Sequence, residues 1–207
     1  MGSYNSTSFL GDWKLNNKQN VLNIEKTGET YKCVWKINGK NTQNEYLGIG
    51  MIVDNQLYIS RFLKQVPGGG VGLYKPIGDL RSNSSLWAST QNFNTLGSGI
   101  TLRENASESF EGDYTVRYFI KGTESPVYNL KIQKKKQSSL YSLTWDVNNE
   151  VKLHGVGVIN NGQMVLAWGG VEFEYEVIIL SIENENTLNG KCALLSNNIT
   201  QESYTKC

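Results

Sequence analysis

Histidine is nearly missing from this 207-residue chain, and cysteine and proline are scarce, with one His, three Cys and three Pro. Each shortage removes a class of chemistry. A metal centre needs several N, S or O ligands that converge. One histidine, His154, and three scattered cysteines, Cys33, Cys192 and Cys207, do not provide that, so no metal ligand is expected. A Ser-His-Asp or Cys-His catalytic set would have to rest on His154 alone. An odd number of cysteines without paired spacing is not a disulfide framework, so reduced thiols are expected. Charge of one sign is also absent: 20 basic and 19 acidic residues leave a net +1. That balance argues against a nucleic-acid protein driven by bulk charge. No apolar run approaches the ~18 residues of a membrane span, and no leader-like apolar segment opens the chain. The expectation is a cytoplasmic protein with no transmembrane segment. The first residues, "MGSYNS", fit Met-Gly-x-x-x-Ser, which makes Gly2 a candidate for myristoylation and a weak lipid anchor. Coincidence is the alternative.

What the chain has in quantity is itself, twice. "FLGDW" at 9–13 returns as "FEGDY" at 110–114, and "LNIEK" at 22–26 as "LKIQK" at 130–134. "YKCVW" at 31–35 returns as "YSLTW" at 141–145, and "GIGMIVDNQL" at 48–57 as "GVGVINNGQM" at 155–164. The order is kept, and the offsets stay between 101 and 110. Two copies follow, residues 1–105 and 109–207, joined at "ENASES". His154 falls opposite Leu47, so one copy does without it.

No helical stripe of useful length appears. Period-two alternation recurs instead, with Tyr31, Cys33 and Trp35 on one face and Tyr141, Leu143 and Trp145 in the copy. Turn dipeptides fall between these runs: Asn38-Gly39, Asp54-Asn55, Asn148-Asn149 and Asn161-Gly162. Asn189-Gly190 resembles another turn, but its counterpart lies inside "SSLWAST", so it is placed in mid-strand. The first copy then reads as eight strands near 11–16, 20–27, 30–38, 45–54, 56–62, 71–77, 84–91 and 97–104. The fold class predicted is all-β, as two tandem antiparallel up-and-down eight-stranded barrels, one per copy; closure removes exposed edges.

The glycine-rich stretch "VPGGGVGLYKPI" is not a phosphate loop. A phosphate loop needs a following helix and Gly-Lys-Ser/Thr, whereas here a strand follows and Lys75 precedes Pro76. A loose inter-strand loop is expected. Gly48/Gly50 and Gly155/Gly157 leave one strand face bare, and a simple hairpin would put Trp35 opposite Gly48 and Trp145 opposite Gly155. A bulge is expected in one of the two hairpins. An indole over a bare glycine fills a sheet face; these tryptophans then serve packing, or floor a ligand cavity.

At "GDW", with Trp13 opening the first strand of an eight-strand meander, the chain resembles the calycin group, the lipocalins and avidin-like barrels. The resemblance implies that Gly11-Asp12-Trp13 closes a barrel base and that Arg103 packs on the tryptophan. In the second copy Gly112-Asp113-Tyr114 and Lys206 would take these places. It further implies a non-enzymatic binding protein for a small molecule or a protein partner; a glycan is a variant of that reading, and no residue pattern argues for a cofactor. The residues singled out for ligand contact are Tyr31, Trp35, Tyr141, Trp145 and Trp168. Trp87, also exposed-looking, motivates the glycan variant. The alternative is a structural or adaptor component whose barrels are filled by side chains.

Overall fold

Turn chemistry sets the first level of order. Asp54-Asn55, Asn148-Asn149 and Asn161-Gly162 all take positive φ, between 50° and 73°. Two-residue hairpins of right-handed twist demand this at both central positions, and Asn, Asp and Gly tolerate it. The computed structural model describes residues 6–16, 20–37, 45–78, 81–105, 107–196 and 199–207. Asn38-Gly39 and Gly2 lie outside the described residues.

The first copy contributes β1 (Gly11–Leu15), β2 (Asn20–Thr27), β3 (Thr30–Ile37), β4 (Tyr46–Val53), β5 (Gln56–Leu63), β6 (Gly69–Ile77), β7 (Ser82–Ser89) and β8 (Gly97–Leu102). The second contributes β9 (Gly112–Ile120), β10 (Thr123–Glu124), β11 (Tyr128–Lys134), β12 (Leu140–Val147), β13 (Glu150–Asn160), β14 (Gln163–Gly169), β15 (Glu176–Asn184), β16 (Thr187–Leu194) and β17 (Thr200–Lys206). All eight strands expected in the first copy are present within two residues of their limits. Asn189-Gly190 lies inside β16, as its repeat partner indicated.

These strands form two closed eight-stranded antiparallel barrels, but not one per copy. Barrel one runs β1-β2-β3-β4-β5-β15-β16-β17 and closes β17 on β1. Barrel two runs β9-β11-β12-β13-β14-β6-β7-β8 and closes β8 on β9, with β10 added beside β9. Each copy keeps its first five barrel strands and sends its last three to the other barrel. The expectation of barrels bounded by 1–105 and 109–207 is therefore corrected, because the repeat boundary is not a barrel boundary.

Side-chain pairing explains the exchange. In barrel one β5 meets β15 with Arg61 opposite Glu176. In barrel two β14 meets β6 with Trp168 opposite Gly70. Unexchanged barrels would set Arg61 against bare Gly70 and Trp168 against Glu176. Exchange gives the cation its carboxylate and the indole its glycine. The crossovers at 64–68 and 170–175 are tied together by Tyr175, whose hydroxyl accepts from Gly170 N (2.9 Å) and donates to Gly68 O (3.0 Å). So the glycine-rich stretch is an inter-barrel crossover, and two of its three consecutive glycines, Gly69 and Gly70, already belong to β6.

Three apolar cores result. One fills barrel one around Trp13, Trp35 and Tyr204, and another fills barrel two around Tyr114, Trp145 and Leu166. The third lies between the barrels, where Met51, Tyr58, Phe62, Val71, Val156, Val165, Tyr175 and Ile179 are buried together. Strands β4, β5, β14 and β15 are thus buried on both faces along their middle residues.

The hairpin registers differ from expectation by two residues. Trp35 pairs with Tyr46 and Trp145 with Leu153, while Gly48 and Gly155 face Cys33 and Leu143. A two-residue slip keeps every side chain on its own face, so alternation cannot detect it. The indoles still reach the glycines diagonally: a Cβ on Gly48 would sit 2.9 Å from Trp35 Cζ3, and one on Gly155 3.3 Å from Trp145 Cη2. The expected bulge is in the second copy, between Trp145 and Asp146.

Candidate functional site

The two barrel bases show the exchange again. Trp13 Nε1 donates to Phe9 O (2.8 Å), and Lys206 of the second copy lies 5.0 Å from its ring. Tyr114 OH donates to Phe110 O (2.9 Å), and Arg103 of the first copy lies 5.1 Å from its ring. The aromatic-cation pairing expected at the bases is present, with the cations traded between copies.

The interiors diverge above these bases. In barrel one, Arg61 is a plug. Its Nε meets Glu176 Oε2 at 2.7 Å and its Nη2 meets Glu202 Oε1 at 3.3 Å, with all three side chains mostly buried. Its guanidinium stacks 5.2 Å from the Trp35 ring and 5.7 Å from the Tyr46 ring. Tyr204 OH donates to Glu202 and accepts from Trp35 Nε1 at 3.3 Å. Burial works against the Arg61 charge, but the two carboxylates outweigh it and hold the group protonated. Burial likewise opposes the Glu202 charge, and Arg61 and Tyr204 override it, leaving its pKa below the usual value. Burial pushes the Cys33 and Cys192 thiols up, as expected of inert core cysteines.

Barrel two carries different residues at the same places. The strand registers match Trp35 with Trp145, Tyr46 with Leu153, Arg61 with Trp168, Glu176 with Gly70, Cys192 with Trp87 and Glu202 with Gly99. The whole charged plug is gone, and only the tryptophan floor is retained. Among these aromatic side chains lies a cavity of about 330 Å³ lined by Trp87, Tyr118, Tyr128, Trp145 and Trp168, with Ser89, Gln91 and the β9–β10 hairpin at its rim.

The rings are fixed by their neighbours. Trp168 lies on Gly70, where a Cβ would come within 2.3 Å of its Cζ2; Trp87 lies on Gly97, where a Cβ would come within 2.1 Å of its Cε2. Trp87 Nε1 donates to Ser98 O (2.9 Å) and Trp145 Nε1 to Tyr118 OH (2.7 Å), which also bonds Tyr74 OH (2.6 Å). Trp87 meets Trp168 and Tyr118 edge-on, at 6.3 and 6.0 Å between centroids. Tyr118 in turn meets Tyr128 at 6.1 Å. Burial raises the Tyr118 hydroxyl pKa, so it stays neutral and serves as the hub of this small network.

The rim is an insertion. The offset between copies grows from 101 at Gly11/Gly112 to 108 at Leu22/Leu130. The added residues form the β9–β10 hairpin, turning at Lys121-Gly122 with positive φ, and place Ile120, Thr123, Glu124 and Ser125 over the cavity. Ser125 Oγ accepts from Tyr118 N (3.1 Å), which ties the hairpin down.

Of the residues singled out from the sequence, Trp145 and Trp168 meet in this cavity. Trp35 is the floor beneath Arg61 in barrel one. Tyr31 and Tyr141 are buried in the interiors of barrels one and two, away from the cavity lining. Sequence reasoning did not select Tyr118 and Tyr128; the length difference between copies was the available signal. His154 bonds Phe173 O through Nε2 and packs edge-on to Tyr175 at 5.9 Å, so it braces a crossover. Two larger hollows, around Lys134–Ser139 and around Arg103–Tyr114, are more open and less apolar. Among the described residues no cluster of three metal-ligating side chains occurs, and no helix is long and apolar enough to cross a membrane.

No family model, curated protein or solved structure matches this chain.

Proposed function

We propose that the protein binds a small molecule without transforming it, in the aromatic cavity of barrel two, with barrel one as its closed structural counterpart. The observation that carries this reading is the divergence of equivalent interiors: where barrel one places Arg61, Glu176 and Glu202, barrel two places Trp168, Gly70 and Gly99. A purely structural barrel gains nothing from keeping an aromatic-lined cavity beside these positions, since unfilled volume costs stability. The cavity lies at the lower end of the ~300–1,000 Å³ range of small-ligand sites and has their composition, apolar walls with a few polar groups. The resemblance to calycin barrels at Gly11-Asp12-Trp13 points the same way. Buried thiols at Cys33 and Cys192 suit a reducing, cytoplasmic setting.

Native mass spectrometry of protein from its source cells tests this. A bound small molecule is expected, and it should be lost in Thr123→Trp, which fills the exposed rim without touching the core. Retention of the molecule by Thr123→Trp would place the site elsewhere. The filled interior of barrel one favours a second reading, an adaptor that works through its outer faces. Wild-type protein that is free of small molecules but bound to a protein partner would support that one.

A further inference from the structure

We infer that the ligand of the barrel-two cavity carries a weakly hydrated organic cation, a quaternary or tertiary ammonium group. This inference rests on the reading of that cavity as a ligand site. The molecule contains its own precedent. In barrel one the space above Trp35 is occupied by a cation, the Arg61 guanidinium, stacked on Trp35 and Tyr46. In barrel two Trp145 keeps the floor, but the position of Arg61 is taken by Trp168, so no cation is supplied from within. The aromatic surface has grown at the same time: Trp87 replaces Cys192, and Tyr118 and Tyr128 close the ring. Five aromatic side chains line the cavity, and an aromatic lining of this kind attracts a cation through the ring quadrupole.

Charge at the rim agrees. Among the described residues that line the cavity, Glu124 is the one carboxylate, and there is no lysine or arginine. Glu124 is about half exposed and pairs with Arg117 at 2.9 Å, a surface pair that holds it weakly. The missing buried carboxylates decide the kind of cation. Glu176 and Glu202 accept the guanidinium N–H groups in barrel one, but their counterparts are Gly70 and Gly99. A primary ammonium would lose its water and find no buried carboxylate like those that hold Arg61. A trimethylammonium group has no N–H to satisfy and sheds its water easily, so an aromatic box suffices.

The test is calorimetric titration of the full chain with choline, with its neutral carbon isostere 3,3-dimethylbutan-1-ol, and with indole as an uncharged aromatic. The inference expects choline to bind about tenfold or more tightly than the isostere. It also expects Trp168→Leu to abolish that difference, and Glu124→Gln to weaken choline alone. Equal binding of choline and the isostere, or binding of indole alone, would overturn the cation inference and leave the cavity reading standing. Failure of all three, in protein whose Trp fluorescence and melting are those of the native chain, would overturn both.

Discussion

Arg61→Met removes the cation at the centre of barrel one while keeping most of its apolar stem. Glu176 and Glu202 then face each other across a site where the three side chains are only 11–18% exposed. Breaking a buried pair costs about 3–5 kcal/mol, because the surviving charge has neither water nor partner. Domains of this kind have about 5–15 kcal/mol in total, so the variant should lose a large fraction of its stability at neutral pH. The pH dependence identifies the cause. In the native chain the Glu202 pKa is lowered below its ordinary 4.5, so its contribution is fully present above that value and is lost as pH falls through the folded pKa. Without Arg61, the burial that opposes the Glu202 charge is no longer overridden and raises that carboxyl group, so protonation now favours the folded state, and the deficit should shrink between about pH 7 and about pH 5. Urea unfolding followed by far-ultraviolet circular dichroism at both pH values measures this. Adding Glu176→Gln and Glu202→Gln to Arg61→Met should recover most of the loss. A variant within about 1 kcal/mol of the native chain, or a deficit that does not shrink on acidification, would refute the assignment of Arg61 as a charge-neutralising plug.

Three further outcomes are expected. A specific protease site placed within 104–107 and cleaved should leave one particle of 23.2 kDa under native size exclusion, because each half contributes strands to both barrels; separation into two halves would contradict the exchange. Trp35→Ala should cost about 3–5 kcal/mol and shift a single calorimetric transition, since the barrels share an apolar core; a destabilised first barrel beside an unaltered second would argue for independent units. Stability should fall with alkaline pH: burial raises the Cys33 and Cys192 pKa values above the ordinary 9.0. Their contribution is present below that value and lost as pH rises through the folded pKa, so a melting temperature that stays level from about pH 8 to about pH 10.5 would contradict their burial.

The repeat, the strands and their turns were legible in the sequence because each is a local pattern. Alternation through Tyr31-Cys33-Trp35 fixes a face, and Asp54-Asn55 fixes a hairpin. The exchange was not legible, because each strand of a duplicated chain has two partners of nearly the same pattern. The choice rests on long-range pairs such as Arg61–Glu176 and Trp168–Gly70, which lie 115 and 98 residues apart. One sign was present: runs such as Val177-Ile178-Ile179-Leu180 do not alternate, and a strand apolar on both faces must be covered on both. For the candidate site, Trp145 and Trp168 stood out as aromatics, whereas Tyr118 and Tyr128 depended on placing an insertion. The register slip at Trp35 and Trp145 was invisible because a shift of two preserves every face.

The five tryptophans divide cleanly, with Trp13 and Trp35 inside barrel one and Trp87, Trp145 and Trp168 around the cavity of barrel two. Fluorine NMR of the 5-fluorotryptophan protein, titrated with a protein-free small-molecule extract of the source cells, therefore reads the site directly. The resonances of Trp87, Trp145 and Trp168 should move together while those of Trp13 and Trp35 stay in place. Movement of Trp13 and Trp35, or no movement of any of the five, would contradict that reading of the cavity.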